Sequence, residues 1–89
     1  MKYLIDTHIL LWLIFSPEKI DKDKLNILRE HKNSIFVCSI SFWEISLKYS
    51  IGKLELTGIT PDELPDLSIK MGIKITEFSA YKKHGLQIL

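Results

Sequence analysis

Three short strand-forming runs, separated by helix-length segments, constrain this chain more than any other feature. They are KYLID (2–6), SIFVCS (34–39) and GIKITEF (72–78). A strand with one wet face alternates apolar and polar residues, whereas a strand buried on both faces reads as a nearly continuous apolar run. Strands of the second kind, each followed by a helix, predict an α/β fold whose short parallel sheet is covered on both faces.

The segments between the runs read as helices. THILLWLIF (7–15) is apolar around most of its circumference and stops at Ser16-Pro17, because proline disfavours helix in the residue before it. Asp21 is placed to cap KDKLNILREHKN (22–33), whose Leu25, Leu28 and Ile27 form an inward stripe. SFWEISLKYSIG (41–52) follows the second strand, with Gly52 placed to end it in a left-handed conformation. Thr60 caps a further helix with Pro61 at its first position, and Pro65 should break or kink that helix early. SAYKKHG (79–85) reads as a short helical turn closed by Gly85. The final LQIL is apolar, which predicts a chain that normally continues or an edge covered by a partner.

With 89 residues the chain makes one domain, and a domain this small hides roughly two-thirds of the surface its unfolded form exposes. Its 46% hydrophobic content is enough for a core and argues against disorder. Twelve basic residues against 11 acidic ones leave almost no net charge, so overall charge makes no case for nucleic acid or a membrane surface. The single cysteine, Cys38, excludes an internal disulfide and fits a reducing compartment. Asp6 interrupts the first apolar run too early for a signal peptide, and the longest apolar stretch, ILLWLIF, is far too short to span a bilayer. A soluble cytoplasmic protein is expected.

Asp6 falls where the first strand gives way to a helix, and Glu44 falls in the first turns of the helix after the second strand. In a parallel sheet all strands end at one rim, and open α/β sheets bind ligands there. Two carboxylates facing one crevice repel unless a cation lies between them. A hard cation, Mg²⁺ or Mn²⁺, suits carboxylate oxygens and can activate water against a phosphate. Each acid also has a plainer job. Asp6 can cap the helix that follows it, and Glu44 can pair with Lys48 one turn on. Thr7, Ser39 and Ser41 could support a metal-bound water or simply cap helices. His8 is a single histidine without spaced partners. Cys38 reads as a small buried hydrophobe, and Trp12, Phe15, Phe42 and Trp43 as core or dimer-interface aromatics. Lys48, Lys53, Lys82, Lys83 and His84 could edge a phosphate-binding groove or lie scattered in solvent.

YLIDTHILLW together with VCSISFWEISLKYSIGKLEL resembles the PIN-domain ribonucleases, in particular the toxin subunits of VapBC-type toxin–antitoxin pairs. The D-T-H after an apolar strand, and S-x-S-x-W-E-I followed by lysine and G-K-L, carry the likeness. It implies a PIN-like three-layer α/β/α domain and an endoribonuclease that uses Mg²⁺ or Mn²⁺ and water. Asp6 and Glu44 would be catalytic metal ligands, with Thr7 the hydroxyl beside the first. The implied partners are an RNA substrate, a small antitoxin whose tail lies across the groove, and a second copy in a homodimer. The family pattern continues with a D-P-F-D-R-like segment bearing further aspartates, then a helix and a last strand. Nothing after Glu77 here is acidic. Residues 1–89 are therefore expected to form a single, incomplete domain with about three strands, lacking the C-terminal strand and helices and weakly active or inactive alone. The alternative is a catalytically inactive, truncated PIN-like module that acts through dimerisation or antitoxin binding.

Overall fold

A computed structural model describes residues 1–77 and 85–89. β1 (Lys2–Ile5) leads through Asp6 into α1 (Thr7–Phe15), and a 3-10 turn at Pro17–Lys19 precedes α2 (Lys22–Arg29). β2 (Ser34–Cys38) passes directly into α3 (Ser39–Ser50). A second 3-10 turn at Pro61–Glu63 continues as α4 (Leu64–Lys70), then β3 (Lys74–Thr76) and β4 (Gln87–Ile88). The expected turn over SAYKKHG lies outside the described residues, except for Gly85.

Local chemistry sets most of these boundaries. Asp6 has extended backbone angles, and its Oδ1 accepts the Ile9 N–H at 2.8 Å, a side-chain N-cap on α1. The end of α3 is closed by Gly52 at φ +79°, with Gly52 N–H on the Tyr49 carbonyl and Lys53 N–H on the Lys48 carbonyl. That pair of bonds is a Schellman closure, as the Gly52 reading anticipated. Gly72, φ +87°, closes α4 in the same way through Ile69 and Ser68, so β3 begins two residues later than GIKITEF suggested. Pro65 sits in the first turn of α4, where its missing N–H has no intrahelical partner to lose, and the break falls just before it. Two expectations need correction. Asp21 starts α2 with its carbonyl, on Leu25 N–H, and not with its carboxylate. The helix stops at Arg29 rather than Asn33, because the Asn33 side-chain amide bonds the Ile27 carbonyl and turns the chain toward β2.

All strand pairs are parallel, in the order β3-β2-β1-β4. Among the described residues the sheet therefore has four strands rather than about three. LQIL supplies the fourth, pairing Tyr3 with Gln87 and Leu4 with Ile88, and Leu89 N–H reaches the Leu4 carbonyl at 3.0 Å. Tyr3, Ile5, Ile35 and Val37 share one face by register and alternation. Ile9 and Leu10 of α1, Phe42 and Ile45 of α3, Leu64 of α4, Ile20 and Ile73 pack on that face as a single core. Both β-helix-β connections, β1 to β2 and β2 to β3, step the same way along the sheet. With right-handed crossovers this puts their helices on one side. The other face carries Leu4, Phe36, Lys74 and Ile88 in one cross-strand row outside the core, with Lys74 Nζ 5.6 Å from the Phe36 ring centroid. Among the described residues the second helical layer of a three-layer arrangement is not present, and the architecture is a small parallel α/β sheet with four α-helices. No helix among them is long and apolar enough to cross a membrane.

Candidate functional site

The rim where β1, β2 and β3 end gathers Asp6, Thr7 and Ser41 of the polar residues that the sequence singled out. Register places Ile5 beside Val37 and Cys38 beside Thr76, so Asp6, the start of α3 and Glu77 leave the sheet at one edge. A cavity of about 270 Å³ opens there, with an apolar floor of Leu4, Ile5, Cys38, Ile40 and Ile88. Asp6, Thr7, Ser41 and Glu77 are its polar lining. Glu44, one helical turn beyond Ser41, does not line the cavity but is tied to it through Thr7.

That tie is directional. Thr7 Oγ1 lies 2.7 Å from Glu44 Oε1 and 3.0 Å from Ser41 Oγ. A hydroxyl has one proton, and an ionised carboxylate can only accept. The Thr7 proton therefore goes to Glu44, and the buried Ser41 hydroxyl donates to Thr7. The other carboxylate oxygen, Oε2, meets Lys48 Nζ at 3.0 Å across one helical turn. The Thr7 hydrogen bond, followed by the bond to Lys48, holds the Glu44 carboxyl below its ordinary pKa; the Lys48 and His8 charges act the same way and partial burial opposes them. A carboxylate depressed in the folded state adds stability that is present above its unfolded pKa and is lost as pH falls through the folded one. Thr7→Val removes the largest cause, so Glu44 is expected to titrate higher, and its acid-side stability to be lost at higher pH. The Glu44 carboxyl signal in a ¹³C NMR pH titration checks this, and an unmoved midpoint would contradict the assignment.

Both plainer roles named for the acids are present. Asp6 caps α1 and Glu44 pairs with Lys48, and Glu44, in the second turn of the helix that follows β2, is bonded to Thr7, the residue after Asp6. Ser39 is exposed at the first position of α3, and among the described residues no side-chain hydrogen bond joins it to the cluster. His8 is exposed and packs edge-on against Trp12, ring centroids 6.4 Å apart. Cys38 is buried as a free thiol in the cavity wall. Phe42 belongs to the core, Trp12 and Phe15 pack half-buried against it, and Trp43 is 65% exposed. Of the candidate groove cations, Lys48 is committed to Glu44 and Lys53 is exposed, while Lys82, Lys83 and His84 lie outside the described residues. Glu77 was not singled out from the sequence. The strand-end rule that marked Asp6 applies equally at the end of β3, and would have found it.

The donor set can be tested against a divalent cation on its chemistry. The oxygens are hard, as Mg²⁺ and Mn²⁺ require. One Asp6 oxygen is spent on the helix cap, and both Glu44 oxygens already carry a partner. Among the described residues no group of three or more His, Cys, Asp and Glu side chains comes together as a metal cage. Mg²⁺, however, is often held by one or two carboxylates, several waters and the substrate's own phosphate. The residues fit an ion of that weakly held kind and do not fit a closed structural site. Comparison with protein-family models, with curated proteins and with solved structures found no match for this chain.

Proposed function

We propose that the chain is a PIN-like domain of the toxin-ribonuclease type, and that it hydrolyses RNA phosphodiester bonds at the rim where β1 and β2 end. The observation that carries this reading is that parallel pairing of β1 and β2 brings Asp6 and α3 to one rim, where Thr7, the residue after Asp6, is hydrogen-bonded to Glu44. A cluster of this kind gains most when a cation relieves it. Asp6 and Glu44 would hold Mg²⁺ or Mn²⁺, which supplies Lewis acidity toward the phosphate and an acidified water. Thr7 holds one Glu44 carboxylate oxygen and lowers its pKa, and Ser41 fixes the Thr7 hydroxyl. The cavity beside them is wide enough to admit part of a nucleotide, with an apolar floor for a base or ribose and Asp6 at its lip. RNA is then the substrate. A small antitoxin protein and a second copy of the chain are the proposed partners, and the cytoplasm is the proposed location.

The test is incubation of the folded chain with single-stranded RNA in Mn²⁺ or in EDTA. Slow cleavage in Mn²⁺ that EDTA abolishes is expected. Cleavage that proceeds equally in EDTA would contradict the metal-dependent reading.

A second reading, a catalytically inactive module that binds a partner protein, is favoured by one feature of α3. Ile40, Trp43 and Leu47 are 50, 65 and 45% exposed and recur at helical spacing on one apolar stripe. Absence of cleavage from folded protein, together with recovery of a complex through this stripe, would favour it over the enzyme.

A further inference from the structure

Each oxygen of the Glu44 carboxylate already has a partner within the chain. Oε1 takes the Thr7 hydroxyl at 2.7 Å and Oε2 takes the Lys48 ammonium at 3.0 Å. The first contact is neutral and leaves the negative charge in place. The second supplies a cation where the rim would otherwise need one. We infer that Lys48 is the resident counter-ion of this site, competing with a divalent cation for Glu44, so that the ion is held more weakly while the ammonium is in place. The inference rests on the cation-binding reading of Asp6 and Glu44 and adds a device that regulates it.

Three features make Lys48 suited to exchange. It lies four residues after Glu44 on α3, the favourable order for a helical ion pair, so the contact forms without any tertiary support. Its side chain is 45% exposed and that of Glu44 42%, which leaves the ammonium free to swing into water on a flexible stem. A pair at that exposure is weak enough for a divalent ion to break. Thr7 is the opposite case. Its hydroxyl is held between Ser41 and Glu44 across two elements, so it can stay in place when the ammonium leaves. The carboxylate would keep its orientation while changing its counter-ion. The displaced ammonium remains within one helical turn of the rim, where a phosphate approaching the ion would meet it.

The experiment is Mn²⁺ binding to the whole chain, read as loss of the free-ion EPR signal. It compares wild type with Lys48→Gln, Lys48→Arg and Lys70→Gln, the last removing an equal charge from α4. Lys48→Gln is expected to bind Mn²⁺ about fivefold more tightly, the order set by freeing an exposed pair and removing a nearby like charge. Lys48→Arg and Lys70→Gln should stay within about twofold of wild type. Equal affinity in wild type and Lys48→Gln, with measurable binding in both, would overturn the competition and leave the metal reading standing. The same tightening in Lys70→Gln as in Lys48→Gln would also overturn it, as general charge rather than exchange at Glu44. Absence of binding in every variant would remove the metal reading and this inference together.

Discussion

Leu10→Ala is expected to destabilise the domain by about 3–4 kcal/mol, the cost of deleting a fully buried leucine and leaving its cavity. Leu10 is 0% exposed, and it joins α1 to the core formed with Ile5, Ile45, Val37 and Leu64. The site would collapse around the loss only partially, because the sheet lies on one side and α3 on the other. A chain of this size has about 5–10 kcal/mol of stability in all, so the substitution removes a large share of it. Urea denaturation followed by far-UV circular dichroism measures the change. Leu10→Met, which nearly conserves volume, should lose less than about 1.5 kcal/mol. Similar midpoints for Leu10→Ala and wild type would mean that α1 does not pack on the sheet as described.

The second large effect is chemical. Removing the charge of either rim acid is expected to slow RNA cleavage by about a hundredfold or more, the order usually lost with one charged catalytic group. Asp6→Asn is informative because an asparagine Oδ1 still accepts the Ile9 N–H, preserving the cap while removing the charge. Glu44→Gln similarly keeps an oxygen for Thr7 and gives up the Lys48 pair. Neither variant should lose much stability, since the pair is exposed and the cap is retained. A loss of cleavage in a variant that melts like wild type therefore reports on the site rather than on the fold. Initial rates of single-stranded RNA cleavage in Mn²⁺ are the measurement.

Much of this arrangement could be read from residue order because the governing rules are local. Asp6 announces α1, Gly52 closes α3, and the apolar runs at 2–6 and 34–39 form the two central strands, although their Leu4 and Phe36 face lies outside the core rather than being covered as expected. Helix boundaries were less legible where a side chain competes for them. Asn33 ends α2 early by bonding Ile27, and α3 begins at Ser39, two residues before SFWEI, because β2 passes into it without a loop. Long-range pairing was the least visible. LQIL has only two residues in the sheet, and nothing in so short a run tells that it lies beside β1 and not β3. That both described crossovers step in one direction, leaving Leu4, Phe36 and Ile88 outside the core, is a property of strand order and not of any local pattern. At the rim, the placement of Asp6, Thr7 and Ser41 around one cavity, with Glu44 bonded to Thr7, follows from strand-end position, which is legible locally. Ser39 did not join them because it starts α3 on the exposed side. Glu77 carries no motif of its own, although its place after β3 obeys the same rule as Asp6.

The central claim is that parallel pairing of β1 and β2 makes Asp6 and Glu44 one site. A double-mutant cycle on cation-dependent RNA cleavage tests it most directly, using wild type, Asp6→Asn, Glu44→Gln and the double variant. Groups that act as a unit are strongly non-additive, so the double variant is expected to cleave no more slowly than the worse single one. Losses that multiply, or a full rate retained by either single variant, would show that the two carboxylates do not work together.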